Sequence, residues 1–453
     1  MRQHEAAPGR RWTLGGRLAW AAAGLLALAA LSSCGPVAQR PADPIAGTVR
    51  WFKGDTHVHS RWSDGRDFPE VVAQWYKDHG YNFLVVTDHN TLQEGAKWVE
   101  VVGKEPTERL AEYRERWGDD WVETRQQKAR KTGKKVLAAR AKALAEYRDR
   151  LEEGGRFILI PGEEINRRLG KVEVHTNAIN VTRRIAPRVM SGIPETIAHD
   201  LAEVRRQGGP GGRPVMSTFN HPNWGGVVPV EAFSAVPGIE FFEIINNNPA
   251  EDYNRPGRKW LGTDFLWDVA LTRRLAQLGL GPIYAVAADD SHSLREDSGT
   301  SWIMVRADAL TEKSLMAAMR AGDFYATSGV RLKDVRRDGD DIVVEIDAEQ
   351  GVTYRTQFIG TRLGYDRSSE NARDLMGNLL PAPERYSPEI GEVLAEMEGP
   401  SARYTPAGDE YYVRARVISS KEVRLRKEDL EKGVEPALQT AWTQPVVISQ
   451  AGR

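Results

Sequence analysis

Cysteine is almost absent from this chain. Cys34 is the single cysteine among 453 residues, so no disulfide can form within the chain and no cluster of thiolates can hold a metal ion. Structural zinc sites built from several cysteines are thereby excluded. Any bound metal must use imidazole and carboxylate ligands, which suit zinc, manganese or iron.

The chain also lacks an excess of charge of either sign. It has 62 Lys and Arg against 63 Asp and Glu, a formal net charge of −1. Domains that bind nucleic acids usually carry a basic face, so we expect no nucleic-acid partner. The length suggests more than one domain, and 41% hydrophobic residues are enough for a packed core.

No apolar run reaches the length of about 20 residues that a comfortable membrane span needs, yet the N-terminus has the pattern of an export signal. Arg10, Arg11 and Arg17 precede an apolar stretch at residues 18–31. The stretch leads into Leu-Ser-Ser-Cys ending at Cys34, which resembles a bacterial lipobox. A signal peptide without lipidation is the alternative.

We therefore predict a lipoprotein signal peptide at residues 1–34. A lipid on Cys34 would anchor the exported protein to the membrane of the bacterial cell envelope, facing the periplasm. Three prolines indicate that residues 35–47 form an extended tether. The paired arginines of the signal leave both the Sec and the twin-arginine export routes open.

The segments that follow alternate between strand and helix patterns. A continuous apolar run at residues 83–86 predicts a strand of the kind that is buried in parallel sheets. Residues 69–80, just before it, have helical periodicity. Further strands are predicted at residues 49–57, 157–160, 215–220, 239–245 and 283–288. Polar motifs at the ends of such strands are typical of a β/α barrel, which we expect over residues 48–328.

Two regions depart from this alternation. Residues 97–155 are rich in Arg, Lys and Glu, with apolar residues at helical spacing, and predict an insertion of two or three helices. This insertion is either a solvated addition or a lid over the site. Beyond residue 328, short strands separated by Gly and Asp turns predict a small β-sandwich at residues 329–453.

Six of the nine histidines fall in short polar motifs near the predicted strand ends. His57 and His59 are two residues apart, so on an extended segment both imidazoles point to the same side. They can then reach one cation at about 2.0–2.1 Å. The other motifs contain Asp64, His89, Glu164, His175, His221, Asp290 and His292. Their regular placement predicts a multinuclear metal site, and so a metallohydrolase.

The order and spacing of these motifs, from about residue 49 to residue 328, resemble the PHP (polymerase and histidinol phosphatase) superfamily. The Asn-His-Pro-Asn-Trp run from Asn220, the three asparagines at 246–248 and the trailing β-domain further resemble an exported branch that includes carbaryl-hydrolase-type enzymes. The resemblance implies an α/β fold, a distorted (β/α)7 barrel of PHP type. It also implies two or three divalent metal ions, Zn, Mn or Fe.

The resemblance implies three sets of metal ligands. The first ion would be held by His57, His59, Glu164 and Asp290. The second would be held by Glu164, His175 and His221, with Glu164 bridging. The third would be held by Asp64, His89 and His292. Asp64 stands where many members have histidine, so the third ion is the least expected. The family spacing selects Glu164 over Glu163, and Asp290 is preferred over Asp289.

The resemblance and the ligand types together predict hydrolysis of a small-molecule phosphoester by hydroxide that the metals activate. The residues expected to be catalytic are His57, His59, Asp64, His89, Glu164, Asp290 and His292. A carbamate or carboxylic ester hydrolase with the same metals is the first alternative. A non-enzymatic lipoprotein with structural metals is the second. Arg167, Arg168 and Lys171 are either phosphate-binding residues or solvated surface residues.

Overall fold

A computed structural model describes residues 50–448, except residues 210, 225–227, 247–261, 374–378 and 432. The predicted signal peptide, the tether and Cys34 lie outside the described residues, as do the second and third asparagines of the 246–248 run. All described residues belong to one unit, Ala42–Arg453. Within the described ranges, no helix is both long and apolar enough to cross a membrane.

Strands and helices alternate over the first part of the chain. Outside the insertion, its elements are β1 (Arg50–Asp55), α1 (Pro69–Asp78), β2 (Phe83–Val86), β6 (Ile158–Leu169), β7 (Val172–Ile179), α4 (Ile193–Gly208), β8 (Met216–Phe219), α5 (Val230–Ser234), β9 (Phe241–Ile245), α6 (Thr263–Thr272), β10 (Tyr284–Ala287), β11 (Trp302–Ala307), α7 (Glu312–Arg320) and β12 (Phe324–Thr327). A π-helical segment, Arg273–Gln277, continues α6.

The insertion contains β3 (Lys97–Val101), α2 (Lys104–Trp117), β4 (Thr124–Lys128), β5 (Lys135–Ala141) and α3 (Leu144–Leu151). The C-terminal part is mostly strands, namely β13 (Leu332–Asp338), β14 (Asp341–Ile346), β15 (Tyr354–Arg362), β16 (Ser369–Arg373), β17 (Leu379–Tyr386), β18 (Glu392–Glu398), β19 (Ser401–Tyr404), β20 (Glu410–Glu422), β21 (Leu438–Thr443) and β22 (Val446–Val447). Its one described helix is α8 (Lys427–Glu431).

Local sequence explains the elements nearest the site. Pro69 starts α1, where its missing N–H costs nothing, and Val72, Ala73 and Tyr76 form the buried face. The helix gives way to Gly80, whose φ of 76° favours glycine. All four residues of β2 are buried, as expected for an apolar strand covered on both faces.

Seven strands lie side by side in the order β10-β9-β8-β7-β6-β2-β1. β1, β2 and β6 are parallel to one another, and so are β8, β9 and β10, whereas β7 is antiparallel to both its neighbours. A parallel bridge between Val58 and Ser291 joins the segments after β1 and β10. The two ends of the seven-strand run therefore meet beside the predicted site.

The same sheet continues beyond β1 into the C-terminal part of the chain. β11 pairs antiparallel with β1, and β12, β21, β20, β15 and β18 follow in that order, with β22 beside β20. The Gln444 side chain makes two hydrogen bonds to the backbone of Ala285 in β10. It accepts from Ala285 N at 3.0 Å and donates to Ala285 O at 2.9 Å. The predicted mixed α/β fold is confirmed, with one large mixed sheet at its centre.

A second, three-stranded sheet contains β13, β14 and β19. Apolar residues of β14 and β19, such as Val344 and Ala402, share a buried core with Phe358 of β15 and Val417 of β20. The predicted C-terminal strands are therefore present, although several of them belong to the main sheet. The β-sandwich at residues 329–453 stays a prediction.

The expectation of an insertion made of helices alone is wrong. α2 and α3 lie where the helical spacing placed them, but β3, β5 and β4 form an antiparallel sheet within the same insertion. Val99, Val101 and Ala139 of this sheet are buried under α2. Their alternation extends over only a few residues, and the charged residues on the other face hide it in the sequence.

A buried ion cluster joins the last strands to α6. Arg414 of β20 has a side chain that is 1% exposed, and it donates to Asp264 at 2.6 Å and to Asp268 at 2.6 and 2.8 Å. Tyr412 adds a hydrogen bond to Asp268 at 2.7 Å. This cluster ties α6, which lies between β9 and β10 in the sequence, to β20 in the C-terminal part of the chain.

Substituting Arg414→Ala should lower the free energy of unfolding by about 3–5 kcal/mol, because the buried Asp268 loses its cation and Asp264 keeps only Arg416. Urea denaturation followed by tryptophan fluorescence measures the change. Arg331→Ala is the matched control, since Arg331 and Asp347 are 57% and 55% exposed and their pair should contribute about 0–1 kcal/mol. Equal effects of the two substitutions would contradict this role of the cluster.

Candidate metal centre

All nine predicted ligands come together at one edge of the seven-strand run. His57 and His59 follow β1, His89 follows β2, His221 follows β8, and Asp290 and His292 follow β10. Glu164 and His175 lie within β6 and β7, and Asp64 lies in the loop between β1 and α1. The structure groups their ligand atoms into four overlapping clusters whose members lie within 4.8 Å of one another.

Glu164 is at the centre of these clusters and is fully buried. Its Oε1 lies 3.0 Å from His175 Nδ1, 3.2 Å from His221 Nε2 and 3.3 Å from His57 Nε2. Its Oε2 lies 2.6 Å from His89 Nδ1 and 3.8 Å from His59 Nε2. One carboxylate therefore faces five imidazoles and can bridge two cations.

His57, His59 and Asp290 form a second contact set beside Glu164. Asp290 Oδ1 lies 3.3 Å from His57 Nε2 and 3.0 Å from His59 Nε2, and the two imidazole nitrogens are 3.1 Å apart. The ligand atoms of a tetrahedral zinc ion are about 3.4 Å from one another. The measured separations therefore suit a single cation between these side chains.

Asp64, His89 and His292 form the open side of the site. Asp64 Oδ2 lies 3.5 Å from His89 Nε2, and its Oδ1 lies 3.4 Å from His292 Nε2. The three side chains are 57%, 22% and 33% exposed, respectively, whereas His57 and Glu164 are 0% exposed. Ligands from solvent must enter at this side.

The sequence suggested that the ligands lie at strand ends. Glu164 and His175 instead lie within their strands. β6 and β7 form a long hairpin in which Glu164 is paired with Asn177, and His175 with Asn166. The register of the ladder, rather than a loop, sets their spacing. Glu163 points to the other face, where it accepts from Ile185 N; burial raises the pKa of Glu163 to about 7.

Glu243 of β9 is a buried functional residue that sequence analysis missed. Its Oε1 lies 2.6 Å from His57 Nδ1, and its Oε2 accepts from His221 N at 3.1 Å. A carboxylate on the far nitrogen of a metal-binding histidine fixes the tautomer and the orientation of the ring. The available signal was one acidic residue within an apolar strand, Phe241–Ile245.

Other buried carboxylates hold the loops that carry the ligands. Asp55 accepts from His57 N at 2.9 Å and from Asp289 N at 3.1 Å. Asp289 accepts from Tyr76 and from the backbone at residues 299–301. Asp88 accepts from Ser60, Ser63 and Gln93. Asp289 therefore positions mainly backbone, whereas Asp88 binds chiefly side chains of the ligand-bearing loops.

The asparagine and arginine side chains near the site make different contacts. Asn220 donates to Glu164 Oε1 at 2.8 Å, and Asn246 donates to Asp290 Oδ2 at 3.2 Å. Arg167 is buried and pairs with Asp200 of α4 at 2.5 Å. Arg168 pairs with Glu173 at 2.7 Å and is 64% exposed.

The carboxylates shift the proton affinities of the imidazoles. Burial lowers the pKa of His57, but the charges of Asp290, Glu243 and Glu164 outweigh burial and raise it well above its usual value. Burial also opposes protonation of His89, yet the charge of Glu164, with Asp64, raises the pKa of His89 to about 11.

The surroundings shift the pKa values of His59 and His292 in opposite directions. Burial, followed by the nearby imidazoles of His292 and His89, lowers the pKa of His59 to about 4. For His292, burial is outweighed by hydrogen bonding to Asp64 and by the charge of Asp290, and its pKa rises to about 9. Binding of a cation must displace the protons held by the raised imidazoles, so its affinity should fall as the pH falls.

The donor set fits divalent cations. Imidazoles and carboxylates are the ligands that zinc and manganese share. His175 Nε2 is buried without a hydrogen-bond partner in the part of the chain that the structure describes. His89 Nδ1 and Glu164 Oε2 are 2.6 Å apart but make no hydrogen bond of normal geometry. Buried nitrogen and oxygen atoms that lack hydrogen-bond partners and lie close together are expected where cations bind.

No protein-family model matches the chain, and no curated protein sequence matches it significantly. A structure comparison finds a two-domain protein from Bacteroides vulgatus that contains a predicted PHP-like metal-dependent phosphoesterase. Its TM-score is 0.37 and its sequence identity 15%, over 83% of this chain and 92% of that chain.

Two further solved structures are similar to parts of the chain. One, from Bifidobacterium adolescentis, is assigned to the metal-dependent phosphoesterases (TM-score 0.28, identity 13%, 55% of this chain and 89% of that chain). The other is an amidohydrolase from Chromobacterium violaceum with bound sulfate and no metal (TM-score 0.27, identity 16%, 54% and 89%).

Only the Bacteroides vulgatus protein among these three is described as PHP-like, and none of the three is described as a carbaryl-hydrolase-type enzyme. Their TM-scores are below 0.5, so we base the function on the geometry of the site alone.

Replacing Glu243 with glutamine should weaken divalent metal binding about 10–100-fold, because His57 loses the carboxylate that orients it. Calorimetric titration of metal-free protein with Zn²⁺ measures the change. The matched control is Glu240→Gln, since Glu240 is 41% exposed and pairs with Arg320 at 3.2 Å, away from the ligands. Unchanged affinity in the Glu243 variant would show that His57 does not depend on it.

Proposed function

We propose that this protein is a metal-dependent hydrolase that cleaves a phosphoester of a small molecule, built on a closed seven-stranded barrel of PHP type. The observation that carries the proposal is the buried carboxylate of Glu164, which faces five imidazoles within 3.8 Å. A bridging carboxylate of this kind is typical of hydrolases that use two adjacent ions.

We infer three ligand sets, as the resemblance implies, and contacts around Glu164 and Asp64 support them. His57, His59, Glu164 and Asp290 would hold the first ion. Glu164, His175 and His221 would hold the second. Asp64, His89 and His292 would hold the third. Bound divalent ions lower the pKa of water towards about 7 and neutralise charge that develops on phosphoryl oxygens.

The protein's own residues orient and enclose this centre. Glu243 keeps the proton on His57 Nδ1, so that Nε2 is free for a cation. Asn220 donates to Glu164 Oε1 and limits the directions in which that carboxylate can turn. The partly exposed Asp64 and His292 border the entrance, which admits a small substrate while the inner ligands stay out of bulk water.

The purified protein should hydrolyse p-nitrophenyl phosphate or bis-p-nitrophenyl phosphate, and a chelator should abolish the activity until Zn²⁺ or Mn²⁺ is added back. Glu164→Gln should lower kcat/KM by at least about 1,000-fold, since several kcal/mol of charge stabilisation is lost. His79→Ala is the control, because His79 lies at the exposed end of α1 and stacks on Trp75.

The outcomes separate the candidate functions. Cleavage of p-nitrophenyl acetate without either phosphate ester would favour a carbamate or carboxylic ester hydrolase with the same centre. Bound metal with no activity on any ester would favour the non-enzymatic alternative. Folded protein that binds no divalent metal would refute all three.

We further propose that the chain is exported and anchored to the bacterial cell envelope through a lipid on Cys34, facing the periplasm. The support is the single cysteine at the end of a lipobox-like sequence. Cells given labelled palmitate should label the wild-type protein, and Cys34→Ala should abolish the label. Label that persists in the variant would refute the anchor.

A further inference from the structure

The loop that carries Asp64 is enclosed by the insertion. Trp62 and Phe68, on either side of Asp64, are 5% and 3% exposed. Both belong to the same buried cluster as Leu110 and Tyr113 of α2, and the ring of Phe68 stacks on Tyr113 with centroids 4.2 Å apart. Side chains from the loop that carries Asp64 are therefore part of the hydrophobic core of the insertion.

Polar contacts tie this loop to the insertion at further points. Arg61 Nη2 donates to Glu100 O at 2.9 Å. Trp62 Nε1 donates to Lys142 O at 2.7 Å, and Lys97 Nζ donates to Trp62 O. A lid that opens would have to break these bonds and expose the core residues, so the insertion is a fixed support for the loop.

Arg109 of α2 links this loop to the one that carries His292. Its guanidinium is 4% exposed; Nη1 donates to Asp67 Oδ1 and Nη2 donates to Ser293 Oγ at 3.2 Å. Asp67 Oδ2 in turn accepts from Leu294 N at 3.0 Å. One buried arginine therefore links two loops whose residues Asp67 and Leu294 are 227 positions apart in the sequence.

Asp64 and His292 depend on this link more than the other ligands do. Glu164 and His175 are held by a strand ladder, whereas Asp64 is 57% exposed and projects from its loop. Arg66 N donates to His292 O at 2.8 Å, so a shift of one loop is passed to the other. The distance between the two ligands therefore depends on Arg109 and Asp67.

We propose that the insertion is a brace and that Arg109 is a positioning residue, which holds Asp64 and His292 at the separation that a third divalent cation requires. This inference rests on the proposed metal centre. It assigns the insertion to one ligand set, and the first two sets, which contain neither Asp64 nor His292, do not depend on the brace.

The test is a titration of the metal-free protein with Mn²⁺, in which electron paramagnetic resonance measures the free ion. Asp64→Ala serves as the reference, since it removes a ligand of the third set. Arg109→Ala should reproduce its effect and weaken one of three sites about 10–100-fold, as loss of an orienting partner does, while the other two sites keep their affinity. Ser293→Ala, which removes a single bond of Arg109, should weaken the same site less.

Tyr113→Phe is the matched control from the same helix. The substitution removes only the hydroxyl, which bonds to Glu70 of α1, and keeps the ring that stacks on Phe68, so the variant should bind three ions like the wild type. Three unchanged sites in both Arg109→Ala and Ser293→Ala would overturn the brace. The brace would also be overturned if Tyr113→Phe weakened Mn²⁺ binding at one site as much as Arg109→Ala does. It would be overturned as well if the wild-type protein bound only two Mn²⁺ ions.

Failure of the brace and failure of the proposed function give different results. A wild-type protein that binds three Mn²⁺ ions but cleaves no phosphoester refutes the hydrolase, while the titrations of the variants still decide the brace. A protein that cleaves phosphoesters with three unchanged sites in Arg109→Ala refutes the brace alone.

Discussion

A carboxylate buried away from water needs positive charge beside it, and in this protein the carboxylate of Glu164 imposes that requirement on the whole site. Transfer of an ionised carboxylate into a protein interior is costly unless it is paired and hydrogen-bonded. Five imidazoles from four segments supply the partners, and either protons or divalent cations can supply the charge. Protons and cations therefore compete for the same nitrogens, and the raised pKa of His57 and of His89 reflects the negative charge that faces these two imidazoles.

The support around Glu164 is graded from inside to outside. β6 and β7 hold Glu164 and His175 through a ladder of backbone hydrogen bonds. Next come carboxylates that bind backbone or ring nitrogens, such as Glu243 and Asp55. The outermost ligand, Asp64, depends on a loop held by another region of the chain. The ligands are therefore fixed by different means, the inner ones by the main sheet and the outer ones by loop contacts with the insertion.

Much of the site was predictable because strand geometry is local. Side chains alternate along an extended segment, and this rule alone grouped His57 with His59. The same alternation agrees with Glu164 pointing to the centre and Glu163 pointing away. Glu243 was not predictable in the same way, because its partner His57 is 186 positions distant along the chain. No local pattern encodes such a pair.

The fold shows the same division between local and non-local information. The apolar run at residues 83–86 gives β2 directly, since burial on both faces leaves a continuous apolar pattern. The strands of the insertion were mistaken for helix because their alternation is short and one face is charged. The C-terminal strands were expected, but their membership in the main sheet was not, because pairing between β12 and β21 joins residues more than 100 positions apart.

That pairing has a consequence for how the chain is made. β21 lies between β12 and β20 in the finished sheet, and the side chain of Gln444 completes the backbone bonding of β10. Until residues 438–444 have left the ribosome, β12 presents an unpaired edge, and open strand edges invite association with other chains. A nascent chain halted before this point would hold all nine predicted ligands but lack the strand that pairs with β12, so the main sheet is completed only after residues 438–444 are made.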